Sequence, residues 1–277
     1  MSIKNILVAY NGLPGSGAAL HGAVKIQKYY DAHLTGLFAH GGSKLSSQIK
    51  PWMPQKVKDA IMEVEDQATD EVLNTFNEIC ADVPEDKLHW IDSTGAVQET
   101  VARYARLFDI TVLGMHERPE TPAQSHFEIY PDRVTFDSGR PVMIFPAGYR
   151  GSVFNNKAVV AWDGGRAAAR ALADAMQILE TEVSVEIVSV GRSPLAGSLP
   201  GINVREVLDR HDVTVSLTEL PRDRKSIADT LVSHCENSGA GLLVMGAYEH
   251  SPLREGLIGG VTHDIALRAS LPVLMSH

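Results

Sequence analysis

The chain has 277 residues, of which 44% are hydrophobic and 21% are charged, and its formal net charge is −9. This length suits two domains of about 130 to 150 residues, and no apolar run is long enough to span a bilayer. Neither half is basic, which argues against duplex nucleic acid as the main ligand. The first residues leave no room for a signal peptide, so we expect a cytoplasmic protein.

The first half of the chain alternates between strand and helix patterns. Its strands are predicted near residues 5–11, 33–39, 87–92, 110–114 and 141–145. Its helices are predicted over roughly residues 16–30, 54–80, 96–108 and 130–138. Glycine and proline clusters within residues 41–60 break the pattern and predict an insertion. We favour a cap over the cleft of the first half for this insertion, and a partner-binding or lipid-facing surface is the alternative.

The second half continues the same alternation. Its strands are predicted at residues 157–162, 183–190, 213–219, 241–245 and 272–275. Its helices are predicted at residues 166–179, 204–211, 226–236 and 259–269. Residues 147–152 show neither helical nor strand periodicity, which indicates a linker. We therefore expect domains at residues 1–147 and 155–277. Cys80 and Cys235 lie in unrelated surroundings and are expected to be buried thiols rather than a disulfide.

The two halves share short patterns in the same order. Residues 6–12 and 158–164 are each an apolar run that ends in Asn-Gly or Asp-Gly. Later in each half a glycine precedes a Pro-Val pair at nearly the same distance. Gly114 precedes Pro141 by 27 residues, and Gly246 precedes Pro272 by 26. Chance apolar runs do not keep such a spacing. We infer that one supersecondary unit has been used twice.

Strands separated by helices predict a parallel sheet with helices on both faces. We therefore predict an α/β protein of two tandem flavodoxin-like, or Rossmann-like, domains, each with a five-stranded parallel sheet of order 3-2-1-4-5. In such a sheet a ligand binds beyond the carboxyl ends of the first and fourth strands, where the order reverses. Those ends carry Asn11 and Gly114 in the first half, and Asp163 and Gly246 in the second.

These features resemble tandem universal stress proteins, since the Asp-Gly or Asn-Gly strand end, the glycine-opened loop after strand four and the terminal Pro-Val strand occur in both halves. In nucleotide-binding members of that family the loop reads glycine, two residues, glycine, nine residues, glycine, then serine or threonine, and it holds the ATP phosphates. The strand-one Asp and a strand-two backbone hold ribose and adenine. The resemblance implies a site for ATP or AMP, with magnesium, formed by Asp163, Val190, Gly246, Gly259, Gly260 and Thr262.

The loop of the second half departs from the family pattern at two positions. Glu249 stands where the second glycine belongs, and Gly260 replaces the hydroxyl residue, although Thr262 lies two positions later. A carboxylate beside a triphosphate repels it unless a divalent cation intervenes. The first half departs further, because Asn11 replaces the acid and Glu117 replaces the second glycine. Nucleotide binding is therefore expected in the second half only.

The resemblance also implies a non-catalytic stress-response protein, in which the last strands of the two domains meet in antiparallel fashion as an internal pseudo-dimer. A homodimer of whole chains is left open. The alternative is a nucleotide-free stress signalling or interaction protein that binds another small ligand, a lipid or a metal. A slow ATPase would need a water-activating residue, and Glu249, Glu255 and His263 are not at a diagnostic spacing for that role.

Two further motif matches are weak. The glycines within residues 12–17 lack the third glycine and the later acid of a dinucleotide-binding motif, which disfavours NAD. His116 and His250 each lie beside a glutamate, but one histidine and one carboxylate per site fall below the usual number of metal ligands. We therefore predict neither NAD nor a bound metal, and no enzyme activity.

Overall fold

Ten strands form one sheet in this computed structural model, which describes residues 2–41, 50, 52–115, 129–152, 154, 156–195, 199–247 and 260–277, with the backbone alone at 61–62 and 64–66. The strands are β1 Asn5–Ala9, β2 His33–His40, β3 Leu88–Thr94, β4 Ile110–Gly114, β5 Val142–Phe145, β6 Lys157–Ala161, β7 Ser184–Val190, β8 Val215–Leu220, β9 Leu242–Gly246 and β10 Val273–Ser276. Their order along the sheet is β3-β2-β1-β4-β5-β10-β9-β6-β7-β8.

The described α-helices occupy the connections between these strands. They are α1 Pro14–Tyr30, α2 Gln55–Ile79, α3 Val97–Ala105, α4 Pro131–Ser138, α5 Arg166–Leu179, α6 Val204–Asp209, α7 Ile227–Ser238 and α8 Val261–Arg268, with a 3-10 turn at Glu85–Lys87. Every predicted strand and helix is present, and the observed ends lie within three residues of the predicted ones. Among the described helices, none is long and apolar enough to cross a bilayer.

The strand order of each half is the predicted 3-2-1-4-5, and pairing within each half is parallel. The predicted fold class is therefore confirmed. Side chains alternate between the two faces of each strand, so a core forms on both sides of the sheet. Val8 and Val160 contribute to one core, while Leu7 and Val159 contribute to the other. Cys80 and Cys235 are buried free thiols, as expected, and burial raises the pKa of each to about 12.

The two halves meet where β5 pairs with β10 in antiparallel fashion, as the resemblance implied. Met143 faces Leu274 at the centre of this pairing. These two residues occupy the same position after the Pro-Val signature of each half, 131 residues apart in the chain. A residue that faces its own counterpart lies on an approximate two-fold axis. The junction therefore has the geometry of an isologous dimer contact inside one chain.

Candidate functional site

Asp163 follows the end of β6 and shapes the turn into α5. Its Oδ1 accepts a hydrogen bond from the backbone N–H of Gly165 at 2.7 Å, and Gly164 has a left-handed φ of 76°. Asn11 forms the same turn in the first half, because its Oδ1 accepts from the N–H of Leu13 at 3.0 Å. Short polar side chains that bond the backbone two residues on are typical of such turns. The side chain of Asp163 is exposed at the carboxyl edge of the sheet.

Gly246 ends β9 where the sheet approaches the first turn of α5. A Cβ atom at Gly246 would lie 2.5 Å from the carbonyl carbon of Ala167 and 2.6 Å from the nitrogen of Ala168. Gly114 has the same relation to α1, with a Cβ placed 2.5 Å from the carbonyl carbon of Gly15. The glycine that ends strand four is thus required for helix packing in both halves. This requirement is independent of any bound phosphate.

Replacing Gly246 by alanine is therefore expected to destabilise the fold by about 1 to 3 kcal/mol, because the backbone of α5 must shift to admit the methyl group. The urea midpoint of the full chain would fall accordingly. Gly260→Ala is the matched control, since Gly260 is extended and a Cβ there meets no atom of the described residues within 4 Å. An unchanged midpoint for Gly246→Ala would contradict the packing requirement.

The N-terminus of α8 carries two of the predicted phosphate-binding residues. Gly260 is its N-cap, is exposed and has no side chain that could accept a hydrogen bond from the first turn. Thr262 is buried, with 7% of its surface exposed. A helix start without a side-chain cap, together with the positive end of the helix dipole, favours an anion at this position. Gly259 and Glu249, which the loop prediction also uses, lie outside the described residues.

Val190 ends β7, the neighbour of β6 in the sheet. Ala161 pairs with Val188, and Asp163 and Val190 each follow two residues later at the carboxyl ends of these neighbouring strands. The N–H of Trp162 donates to the carbonyl oxygen of Val188 at 2.8 Å, so the segment after β6 stays hydrogen-bonded to β7 beyond the end of β6. Val190 is half-buried and packs against the core that α7 and α8 cover. The ends of three adjacent strands, β9, β6 and β7, therefore bring Gly246, Asp163 and Val190 to one edge.

The equivalent edge of the first half is covered by α2. A Cβ at Gly12 would lie 3.4 Å from a methyl carbon of Val72, and the ring of Phe76 packs 6.0 Å from that of Tyr10. A helix thus lies over the first cleft. The predicted cap of residues 41–60 is not tested, because residues 42–49 and 51 lie outside the described part of the chain. Trp52 within it is 77% exposed.

A contact between the halves was missed by the sequence reasoning. Nδ1 of His263, near the start of α8, lies 3.0 Å from Oδ2 of Asp132, near the start of α4. The Asp132 side chain is 3% exposed and that of His263 is 22% exposed. The two positions are 131 residues apart, the spacing of the Pro-Val signature, and that spacing is the signal that could have revealed the pair. His263 is engaged at the junction rather than held at the cleft as an ATPase base.

The second half also buries a charged cluster around Glu186 in β7. Its Oε2 lies 2.5 Å from Nζ of Lys157 and 3.1 Å from Nε2 of His234, and the Thr218 hydroxyl donates to Oε1. Burial by itself raises the pKa of Glu186, but these three partners outweigh it and bring the pKa to about 2. Sequence patterns gave no indication of this cluster. It lies within the sheet, away from the carboxyl edge, and joins β7 to β6, β8 and α7.

The described residues contain no group of three or more metal-ligating side chains. His116 and His250, each next to a glutamate, lie outside the described residues. The carboxyl edge of the sheet in the second half therefore offers, among its described residues, the carboxylate of Asp163, the strand-end Gly246 and the start of α8 at Gly260, which has no side-chain cap. That chemistry suits a polar ligand with hydroxyl and anionic groups.

Comparison with known proteins finds a family match in the second half of the chain. The model of the universal stress protein family matches residues 155–277. A universal stress protein from Synechocystis sp. is 26% identical over 171 residues, which are 60% of this chain and 57% of that protein, so the match spans little more than half of the relative's length. The crystal structure of a universal stress protein from Archaeoglobus fulgidus DSM 4304 has a TM-score of 0.68 at 16% identity, covering 98% of this chain and 95% of that one.

A structure from Pseudomonas aeruginosa UCBPP-PA14, described as a candidate universal stress protein, has a TM-score of 0.59 at 16% identity and covers 99% of this chain and 93% of that one. At such identities the two structures establish the fold over nearly the whole chain. The family model covers the half that contains Asp163, Val190 and Gly246. The comparisons therefore show the fold over nearly the whole chain, and a similarity to the universal stress protein family over residues 155–277.

Proposed function

We propose that this chain is a non-catalytic stress-response protein with two tandem domains, residues 1–147 and 155–277, and that the second domain binds an adenine nucleotide, ATP or AMP with magnesium. The observation that carries the proposal is the placement of Asp163, Val190 and Gly246 at the ends of three adjacent strands in the half that the family model matches. The two domains would act as one unit, because β5 and β10 join them in a single sheet.

Each described part of the edge has a distinct role in this proposal. Oδ1 of Asp163 is held by the N–H of Gly165, which fixes the carboxylate where it can accept hydrogen bonds from ribose hydroxyls. The backbone at Val190 would contact adenine. The uncapped start of α8 at Gly260 would receive phosphate oxygens. Magnesium would offset the repulsion between the phosphates and Glu249.

The first domain is proposed not to bind nucleotide. Asn11 stands at the turn that Asp163 forms in the second half, so the first cleft lacks the carboxylate proposed to hold ribose. Val72 of α2 lies against Gly12, in the space beyond the end of β1. A ligand there would have to displace a packed helix. The asymmetry between the halves makes a stoichiometry of one nucleotide per chain the expected value.

Thermal unfolding and calorimetry test the proposal directly. ATP or AMP with magnesium should raise the melting temperature of the full chain, since a ligand at 100 times its Kd stabilises the folded state by about 2.7 kcal/mol. Asp163→Ala should abolish the shift. Asn11→Ala, the same truncation at the equivalent turn, should leave it intact. Absence of both a shift and a binding heat at millimolar ATP with magnesium would refute nucleotide binding.

A further inference from the structure

The connecting segment between the two halves, residues 147–156, is held by α1 of the first half. Nζ of Lys25 donates hydrogen bonds to two carbonyl oxygens of this segment, at 2.9 Å and 2.6 Å. The ring of Phe154 is buried and stacks on that of Tyr29, with the ring centroids 4.2 Å apart. The described residues of the segment are therefore packed against the protein rather than extended into solvent.

Glu182 of the second half lies against the end of this segment, in the turn between α5 and β7. Its Oε2 accepts a hydrogen bond from the backbone N–H of Asn156 at 2.6 Å. Its Oε1 is buried and has no hydrogen-bond partner among the described residues. A second bond joins the same two stretches, because the N–H of Val183 donates to the carbonyl oxygen of Asn156 at 2.7 Å. One carboxyl oxygen is thus paired, and the other is enclosed.

The first half fills the equivalent place in a different way. There Oδ2 of Asp109 accepts the backbone N–H groups of Lys4 at 2.8 Å and Asn5 at 2.9 Å. Gly241 is the counterpart of Asp109, because the N–H of each donates to the carbonyl oxygen of the first residue of strand one in its half. A Cβ at Gly241 would lie 2.3 Å from Nδ2 of Asn156. The connecting segment therefore fills the space that corresponds to the Asp109 side chain.

The acid at the position of Glu182 in the first half is Asp31, since each stands two residues before the second strand of its half. Asp31 is exposed, and its hydrogen bond and ion pair with Lys87 lower its pKa. Glu182 takes part in no ion pair within the described part of the chain. Burial raises the pKa of Glu182 from 4.5 to about 7, and the bond from Asn156 offsets only part of this rise. Only the acid beside the connecting segment therefore changes charge near neutral pH.

The titratable groups around Glu182 do not neutralise its carboxylate. Burial raises the pKa of Tyr30 in α1 and of Tyr149 in the connecting segment, and the charge of Glu182 adds to both shifts. Both phenols therefore stay neutral at physiological pH. Glu180, at the end of α5, lies with its Oε1 2.9 Å from Nδ1 of His211. Among the described residues, no cation thus pairs with Glu182 when its proton leaves.

We propose that Glu182 is a proton-operated latch for the connecting segment: the neutral carboxyl keeps the segment packed, and the carboxylate favours its local release into water. A carboxylate with one oxygen enclosed and unpaired lacks hydration, which opening of the segment restores. The halves stay joined by β5 and β10, so release frees the segment without separating the domains. The latch is independent of nucleotide binding.

Hydrogen exchange of the full chain tests the latch. The opened segment restores the ordinary pKa of 4.5, so the packed state is fully favoured below that pH and loses this advantage as the pH rises through about 7. Protection of the Val183 N–H should therefore fall about tenfold from pH 6 to pH 8, after correction for the intrinsic pH dependence of exchange. The His33 N–H, which donates to the carbonyl oxygen of Lys4 at 2.8 Å in the first half, is the internal control and should keep its protection. No change at Val183, or an equal change at His33, would overturn the proposal.

Substitutions assign the effect to one carboxyl. Glu182→Gln keeps an acceptor for the Asn156 N–H but cannot ionise, so the pH dependence at Val183 should disappear. Asp31→Asn is the matched control, because it alters the corresponding acid at a left-handed φ of 52° that asparagine tolerates, and it should leave the pH dependence intact. Persistence of the wild-type pH dependence in Glu182→Gln, or its loss in Asp31→Asn, would overturn the latch.

A carbon NMR titration of the Glu182 carboxyl in the unsubstituted chain gives a test that needs no variant. The midpoint is expected near pH 7, because burial opposes the charged form. A midpoint below about 5, the range of an ordinary glutamate, would overturn the proposal.

Discussion

Replacing Phe76 by alanine is expected to lower the free energy of unfolding by about 3 to 5 kcal/mol. The side chain is fully buried, and its ring lies 4.8 Å from that of Trp90 and 6.0 Å from that of Tyr10. A Cβ at Gly36 would fall 2.5 Å from a ring carbon of Phe76, so the ring occupies the space that the glycine leaves. The substitution opens a cavity between α2 and β2 that neighbouring residues cannot fill.

Urea unfolding of the full chain measures this loss. Trp52→Ala is the control, because an indole that is 77% exposed contributes little, and its effect should stay within about 0.5 kcal/mol. Hydrogen exchange should also accelerate in α2 before other helices, since Phe76 is a fully buried side chain that packs this helix against the sheet. A loss below about 1 kcal/mol would mean that α2 is held mainly by other contacts.

The fold was predictable because the same sequence patterns occur in both halves of the chain. The patterns around Gly12 and Gly164 fixed the first strand of each half, and the shared glycine-to-proline spacing fixed the fourth and fifth. Patterns of period 3.6 between them left a parallel sheet as the consistent solution. Element ends were less certain, as in the helix expected to reach Phe108 that ends at Ala105. Local capping, which periodicity does not report, decides such ends.

The candidate site was predictable in position but not in its packing. A carboxylate and a glycine at the ends of strands one and four follow from the sequence, so Asp163 and Gly246 were located together. The clash of a Gly246 Cβ with Ala167 depends on how closely α5 approaches β9, and no one-dimensional pattern contains that distance. The contact of Val72 with Gly12 is likewise a property of helix packing.

His263→Asp is expected to cost about 2 to 4 kcal/mol at pH 7, because it places a second carboxylate against Asp132. In the native chain these side chains lie 3.0 Å apart at corresponding positions of the two halves. A strictly two-fold junction would pair aspartate with aspartate or histidine with histidine. Two unit charges 4 Å apart at an effective dielectric of 20 repel by about 4 kcal/mol, and the 22% exposure at position 263 reduces this figure.

The loss should depend on pH in a defined direction. Like charges raise the folded-state pKa of one carboxyl in the variant, so stability is retained at low pH and lost as the pH rises through that pKa. Unfolding free energies at pH 5 and pH 7 measure the effect as the difference from wild type. His263→Asn, a neutral control, should lose less at pH 7. Adding Asp132→Asn to His263→Asp should restore most of the stability, because one charge of the repelling pair is removed.

A loss equal at both pH values would show that shape, rather than charge, selects histidine at this junction. If charge is the cause, the two copies of the repeat have diverged to carry an acid in one half and a histidine in the other at the approximate two-fold axis. Such a pair favours contact between a first half and a second half over contact between two identical halves.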